Sequence, residues 1–489
     1  MSTRRLVRVA LLPVGAGLVL LAANGLAQAS TVPGTAASGL LPGTTCLRHV
    51  PVSSSAGLST AATAARPGDC IDLASGTYRA TTIRSRGTAA HPVVISSVKP
   101  LGAVFSSGTI ALTGSDTILG GVSISGSANV QFNNALRDRV TRSRFKSSAA
   151  EFVDVFGKSG NANRVDHNEM GPKGRSGHFV QIGDDGATPV HTLVDHNYFH
   201  DVASSGQGGE SLRVGGFGPS GDYFHSFSVF EYNLLVHCNG DAEIVSFKGS
   251  DNTFRYNTVR ASTGMVNIRS GEQNAVYGNF IFSDGVTKAM GIRVSEDNHL
   301  IYDNYVNVIN TPLLIHAGDP KPGNPPPGKP PTRHFTGHAQ VRNAVVVNNT
   351  FIAASAGIDL DGGGGRLPPD NLTFANNIVQ AGRTIVSHGN APTRSRYAGN
   401  IVWGGSPGVS GPGFRVVNPK LVPVHGVLQP APDSPALRAG STAFATLVTD
   451  DVEGRPRTAP PDIGAVQSSS PATPIRLPLT VADVGIDAR

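Results

Sequence analysis

Val165-Asp166-His167-Asn168-Glu169-Met170 and, one unit later, Val194-Asp195-His196-Asn197-Tyr198-Phe199 carry the pattern that decides the fold. An apolar residue is followed by two variable residues, an asparagine, one more variable residue and a second apolar one. The pattern returns at 230–235, 254–259, 276–281, 301–306, 346–351, 374–379 and 397–402. Asn233, Asn257, Asn279, Asn304, Asn349, Asn377 and Asn400 hold the fourth place, and 140–145 is an earlier copy with Ser143 there. Successive asparagines lie 29, 36, 24, 22, 25, 45, 28 and 23 residues apart. A period in the twenties with occasional insertions marks a solenoid whose coils are short strands. The units are rich in Val, Ile, Phe, Thr and Gly and lack 3.6-residue periodicity, which excludes helical repeats. The leucine spacing of leucine-rich repeats is absent. An asparagine at a fixed turn can take left-handed backbone geometry and stack on its neighbours in a ladder of amide hydrogen bonds. The expected fold is all-β, a single-domain right-handed parallel β-helix.

Outward from the repeats, 68–78 reads as the first coil, and the Ala-rich run 56–66 as a short helix capping its open end. The long 45-residue interval contains a Pro-rich inserted loop at 318–332. After about residue 405 the pattern fades into Pro/Gly-rich segments expected to pack along the solenoid, and 468–489 reads as a loose tail. Residues 1–29 have the basic, apolar and small-residue order of a secretory signal, with Arg4, Arg5 and Arg8 ahead of an apolar run and a cut after Ala29. The β-helix domain is thus expected over 30–467, exported and monomeric, with no membrane attachment after cleavage. Cys46 and Cys70 flank the start of the ordered region, and an exported protein could pair them; Cys238 is left over as a buried small residue.

The 489 residues include 59 glycines and 34 prolines, with 39% hydrophobic and 15% charged residues. That balance excludes a disordered chain or long coiled coil, and the lack of a three-residue glycine period excludes collagen. The formal charge is +6. It falls to +3 without the three leader arginines, because the leader has no acidic residue. So mild a balance suits an acidic ligand at one local site and does not call for nucleic acid.

Candidate chemistry concentrates on adjacent coils. Phe247-Lys248, Ile268-Arg269 and Ile292-Arg293 read as one apolar–basic pair repeated coil by coil, which would stack three cations roughly 5 Å apart in one column. Such a column is commensurate with an extended anionic chain. The preceding coil adds Gln207, Glu210 and Arg213. Asp241 and Glu243, two apart in a presumed strand, would point to one face with Cα atoms roughly 6.6 Å apart. A hard cation such as Ca²⁺ would neutralise them. Glu243 and Lys248 differ by five positions, so a corner near Ser246 is needed to bring both to one groove.

These residues resemble polysaccharide lyase family six, the group holding many alginate lyases and chondroitinase B. The resemblance spans roughly 68–310 and is specific around Glu210-Ser211-Leu212-Arg213, 241–248 and 266–269. It implies Lys248 as Brønsted base, Arg269 as acid, Gln207, Asp241 and Glu243 as calcium ligands, and Arg293, Arg213 and Glu210 as substrate contacts. Three positions depart from the family pattern: Gln207 stands where Asn is usual, Asp241 where Glu is frequent, and Ser270 where His is common. The implied reaction is β-elimination on a uronic acid, with alginate the first substrate and dermatan sulfate the second. Cation and arginines would quench the carboxylate next to the acidic C–H. Two other readings use the same residues. One is a glycoside hydrolase with Asp241 and Glu243 as acid and base; the other is a non-catalytic β-helix that binds anionic glycans.

Overall fold

In the computed structural model the described residues are 41–488, apart from 185, 217–222, 320–336 and 363. The signal-peptide reading and most of the inserted loop therefore lie outside them. Among the described residues, three parallel sheets of 14, 12 and 14 strands run the length of the chain, each strand pairing with its counterpart one coil away. This is a parallel β-helix. The inward positions stack like on like: Val140, Val165, Val194, Phe230, Phe254, Val276, Ile301, Val346 and Phe374 follow one another in register and are all buried. Each such side chain contributes about 1.5–3 kcal/mol on leaving water.

The asparagine ladder forms as expected. Eight amide-to-amide bonds of 2.9–3.1 Å link Asn168 through to Asn400. The left-handed residue, however, is the one before each asparagine: Arg142, His167, His196, Tyr232, Tyr256, Gly278, Asp303, Asn348, Asn376 and Gly399 all have φ between 48° and 65°. That turn aims the asparagine amide inward, where it can satisfy backbone and neighbour together.

The ends are closed as the sequence suggests. Helix α1 (Ser55–Ala64) is capped by Ser54, whose hydroxyl accepts from Gly57 N at 3.1 Å, and it buries Leu58 and Ala62 against the first coil. Cys46 and Cys70 form a disulfide, and Cys238 is buried and free. Beyond the last coil, Val427, Val452, Ala465 and Val466 cover Phe280, Phe282 and Tyr305 on the solenoid flank. The stretch expected to be a loose tail docks on that flank too. Arg142 donates to the carbonyls of Ile486 and Ala488 at 2.6 and 2.8 Å, Leu479 N to Thr258 Oγ1 at 2.8 Å, and Arg476 lies over the Tyr256 ring. Its Pro-rich composition hid this, because its backbone groups and Arg476 meet a guanidinium, a hydroxyl and an aromatic face on distant coils. No helix among the described residues is long and apolar enough to cross a membrane.

Candidate active site

The candidate residues sit on the 12-stranded sheet, on strands Val180–Ile182, Leu212–Val214, Glu243–Phe247, Gly264–Ile268, Ala289–Val294 and Leu313–His316. Phe247 pairs with Ile268, and the next residues continue the ladder: Lys248 N donates to Val214 O and Arg269 N to Phe247 O, both at 2.8 Å. Lys248 and Arg269 thus leave adjacent coils at the same sheet edge. Arg293 does not join them. It pairs with Asn267, two positions earlier, in a column that runs Gln181, Arg213, Ser246, Asn267, Arg293. The expected single column of three cations is two columns side by side. The strands pair at an offset of 25 residues at Gly264–Ala289 and 26 from Val266–Ile292 onward, against the 24 that would align Arg269 with Arg293; the register shift between Gly264 and Val266 supplies one of those two residues.

A second shift, between Glu243 and Val245, solves the parity problem at the other end of the strand. The extra residue turns Glu243 to the face of Ser246, whose hydroxyl donates to Glu243 Oε2 at 2.6 Å. The expected corner near Ser246 is therefore this upstream bulge. Asp241 precedes the strand in a bend, and its Oδ1 accepts from Glu243 N at 3.3 Å, an Asx turn. The two carboxylates are not alternate residues of one strand, which removes the geometric basis for a spaced acid/base pair.

Lys248 is only 1% exposed; its Nζ donates to Glu210 Oε1 at 3.2 Å, and Glu210 Oε2 faces His178 Nε2, also at 3.2 Å. Burial pushes the Lys248 ammonium below its ordinary range, helped by Arg213 and opposed by Glu210 and Glu243. Burial works against the Glu210 carboxylate, but the His178 hydrogen bond and the Lys248 charge hold it well below the usual range. Glu210 is thus buried against Lys248 and is not among the residues lining the groove described below. Arg213 lies on the sheet face, donating to Gly215 O at 2.9 Å with Asp184 at 3.8 Å.

Arg269 approaches Glu243 at 3.9 Å, donates to Gly337 O at 2.5 Å and contacts His338 Nδ1 at 3.2 Å. Arg293 contacts His338 Nε2 at 2.5 Å and His316 Nε2 at 3.2 Å, and the two histidine rings stack 4.1 Å apart. Burial, then the two arginines, hold both imidazoles below their ordinary range, His316 at about 4. A groove of about 900 Å³ opens beside this cluster, lined by Gln207, Asp241, Met265, Lys288, Arg293 and His316 among others. Gln207 is exposed beside it, while Lys248 and Arg269 are buried and are not among its lining residues.

Gln207, Asp241 and Glu243 are the residues that could hold a hard cation here. All three are oxygen donors, and burial together with the charges of Glu210 and Glu243 pushes the Asp241 carboxyl up, a strain that a divalent ion would relieve. A second grouping, His167, Asp195 and His196, is spent structurally: Asp195 bonds Arg164 and the His196 ring, and the two imidazoles stack at 4.9 Å. Sequence reasoning missed His178, Glu151, His316 and His338. The first two were legible as a polar residue two places before a strand core on successive coils (Glu151-Phe152-Val153, His178-Phe179-Val180, Glu210-Ser211-Leu212).

The site is thus a groove on the bulged 12-stranded sheet of a parallel β-helix, with carboxylates and cations beside it. The chain belongs to the chondroitinase B family, whose model matches residues 52–381. Similar solved structures include the PL6 family alginate lyase AlyGC, 24% identical with a TM-score of 0.67, covering 79% of this chain and 55% of that one. This chain therefore spans about half the length of AlyGC. A mannuronic acid specific family 6 lyase from human gut microbiota is 22% identical with a TM-score of 0.65, covering 76% and 91%. A PL6 alginate lyase in complex with a trisaccharide is 18% identical with a TM-score of 0.64, covering 79% and 92%. Among curated proteins none matches.

Proposed function

We propose that the protein is an exported polysaccharide lyase that cleaves a uronic-acid-containing polysaccharide, alginate first, by β-elimination. The observation that carries the reading is the emergence of Lys248 and Arg269 from adjacent coils at one sheet edge, beside Arg293 and the Asp241–Glu243 pair. Lys248 takes the C5 proton. Its burial supports this role, since a base must be free of its own proton and desolvation disfavours the ammonium. Arg269 is the acid-side group: an arginine parts with its proton reluctantly, so it stabilises the leaving oxygen as charge develops while water completes the protonation. Arg293 holds the uronate carboxylate, a partner to which its planar fork is matched. Gln207, Asp241 and Glu243 would hold Ca²⁺, whose charge would quench that same carboxylate. The Cys46–Cys70 disulfide supports the exported reading, because such bonds persist in oxidising compartments.

Alginate leads dermatan sulfate because the similar structures named above act on alginate or mannuronic acid by their descriptions. The test is to incubate the purified protein with alginate, dermatan sulfate and pectate, following ultraviolet absorbance from the unsaturated product end. Alginate is expected to give the strongest signal. New reducing ends without that chromophore would make it a hydrolase, and neither signal would make it a binder. In the same assay a chelator is expected to lower the rate at least tenfold and added Ca²⁺ to restore it; a rate indifferent to both would remove the cation from the site.

A further inference from the structure

Lys248 presents a difficulty that the proposed reaction leaves open. Once it has taken a proton from the sugar it must lose it before the next turnover, and at 1% exposure its direct contact with water is slight. The register supplies a route. On successive coils Val153 pairs with Val180, Val180 with Leu212, and Leu212 with Val245. The positions two before the first three of these are Glu151, His178 and Glu210, and they form a column beside the site. Glu210 Oε1 is 3.2 Å from Lys248 Nζ, Glu210 Oε2 is 3.2 Å from His178 Nε2, and His178 Nδ1 is 3.4 Å from Glu151 Oε1. Side-chain exposure climbs from 7% at Glu210 and 6% at His178 to 34% at Glu151. His178 Nδ1 is buried and lies at ion-pair distance from Glu151 Oε1 without a hydrogen bond, so a small turn of the Glu151 carboxylate is needed to accept from it. The charged groups around the column are Arg213 and Glu243 beside Lys248, Asp154 near His178, and Lys173 near Glu151.

We infer that Glu210, His178 and Glu151 are relay residues that carry the proton from Lys248 to solvent; the inference rests on the lyase reading and deepens it. The Lys248 ammonium gives one proton to Glu210 Oε1. The carboxyl group turns about its Cγ–Cδ bond and passes that proton to His178 Nε2, while Nδ1 gives its own to Glu151. Glu151 releases it to water, which leaves His178 as its Nε2–H tautomer; loss of the Nε2 proton and gain of one at Nδ1 by exchange with water resets the ring. One proton enters from the sugar carbon and one leaves to solvent, so no other reactant is needed. None of the three touches substrate; each acts through Lys248.

The experiment uses the full exported chain on its best uronan substrate, with thermal melting as a check on folding. His178→Gly is expected to lower kcat at least tenfold with KM within twofold, and millimolar imidazole to restore much of it. Glu151→Gln, at the exposed end, is expected to lower kcat a few-fold and to make it rise with buffer concentration, since buffer then takes the proton. Glu210→Gln removes both a relay group and a charge that favours the ammonium, so kcat falls and the acid limb of its pH profile moves to lower pH. A folded His178→Gly protein with full activity, or one whose loss imidazole leaves untouched, would overturn the relay while the lyase reading stands. Wild-type protein that yields no unsaturated product on any uronan would overturn both.

Discussion

Two flanks of the same solenoid are built on opposite rules. On the asparagine flank every strand pairing from Cys70–Val94 to Ala375–Ala398 keeps its register, and each ladder amide meets the next. On the site flank the pairing slips at Glu243–Val245, Gly264–Val266 and Leu314–His316. The polar groups there are mismatched in charge, and the Asn267 amide is buried with no hydrogen-bond partner at either atom. Regular stacking satisfies backbone and side chains and gives stability. Bulges give up part of that to re-aim side chains, which a groove needs and a core does not. The flanks should therefore fail in different ways: one on folding, the other on turnover.

The largest expected effect is on the site flank. Lys248→Gln keeps a hydrogen-bond donor toward Glu210 and so should fold, yet it lacks the basic amine. Its turnover is expected to fall about a thousandfold, within the range that general-base catalysis supplies, with an unchanged melting transition. Arg269→Ala should match it in turnover. Near-normal turnover in either would break the assignment and with it the contrast between the flanks.

The asparagine flank gives the converse. Asn279 donates to Asn304 Oδ1 and Phe254 O, both at 2.9 Å, and accepts from Asn257. Asn279→Ala removes these bonds and leaves buried partners unpaired, at a cost of about 1–3 kcal/mol for each group so exposed to loss. Denaturant unfolding should show a destabilisation of about 2–3 kcal/mol, while kcat per folded molecule stays at wild type. A drop in kcat without loss of stability would show that the ladder does more than hold the coils.

This contrast also explains what the sequence revealed. The asparagine repeat is periodic, so the fold, the capping helix and the adjacency of Lys248 and Arg269 could be read from spacing. Bulges and bends break periodicity: the column of Arg293 depends on a shifted register, and Asp241 lies in the bend that precedes its strand. His178 and Glu151 were missed because a polar residue before an apolar pair looks like ordinary strand edge until the register brings three of them together. The docked tail was missed because it offers mainly backbone groups, which any sequence has, to side chains on distant coils.

The cations on the site flank make the smallest prediction, and it concerns how they are satisfied. Lys248 has a carboxylate at 3.2 Å, whereas the Arg269 and Arg293 guanidiniums share the His338 ring. A neutral imidazole has one acceptor nitrogen, so it can satisfy only one of two arginine donors at a time; a carboxylate can accept from both. The ring is thus a poorer partner for the pair than a uronate would be, and substrate must displace it. His338→Ala should remove that competition and lower KM several-fold with kcat little changed. A KM that rises on His338→Ala would reverse the argument and make the ring part of the sugar-binding surface.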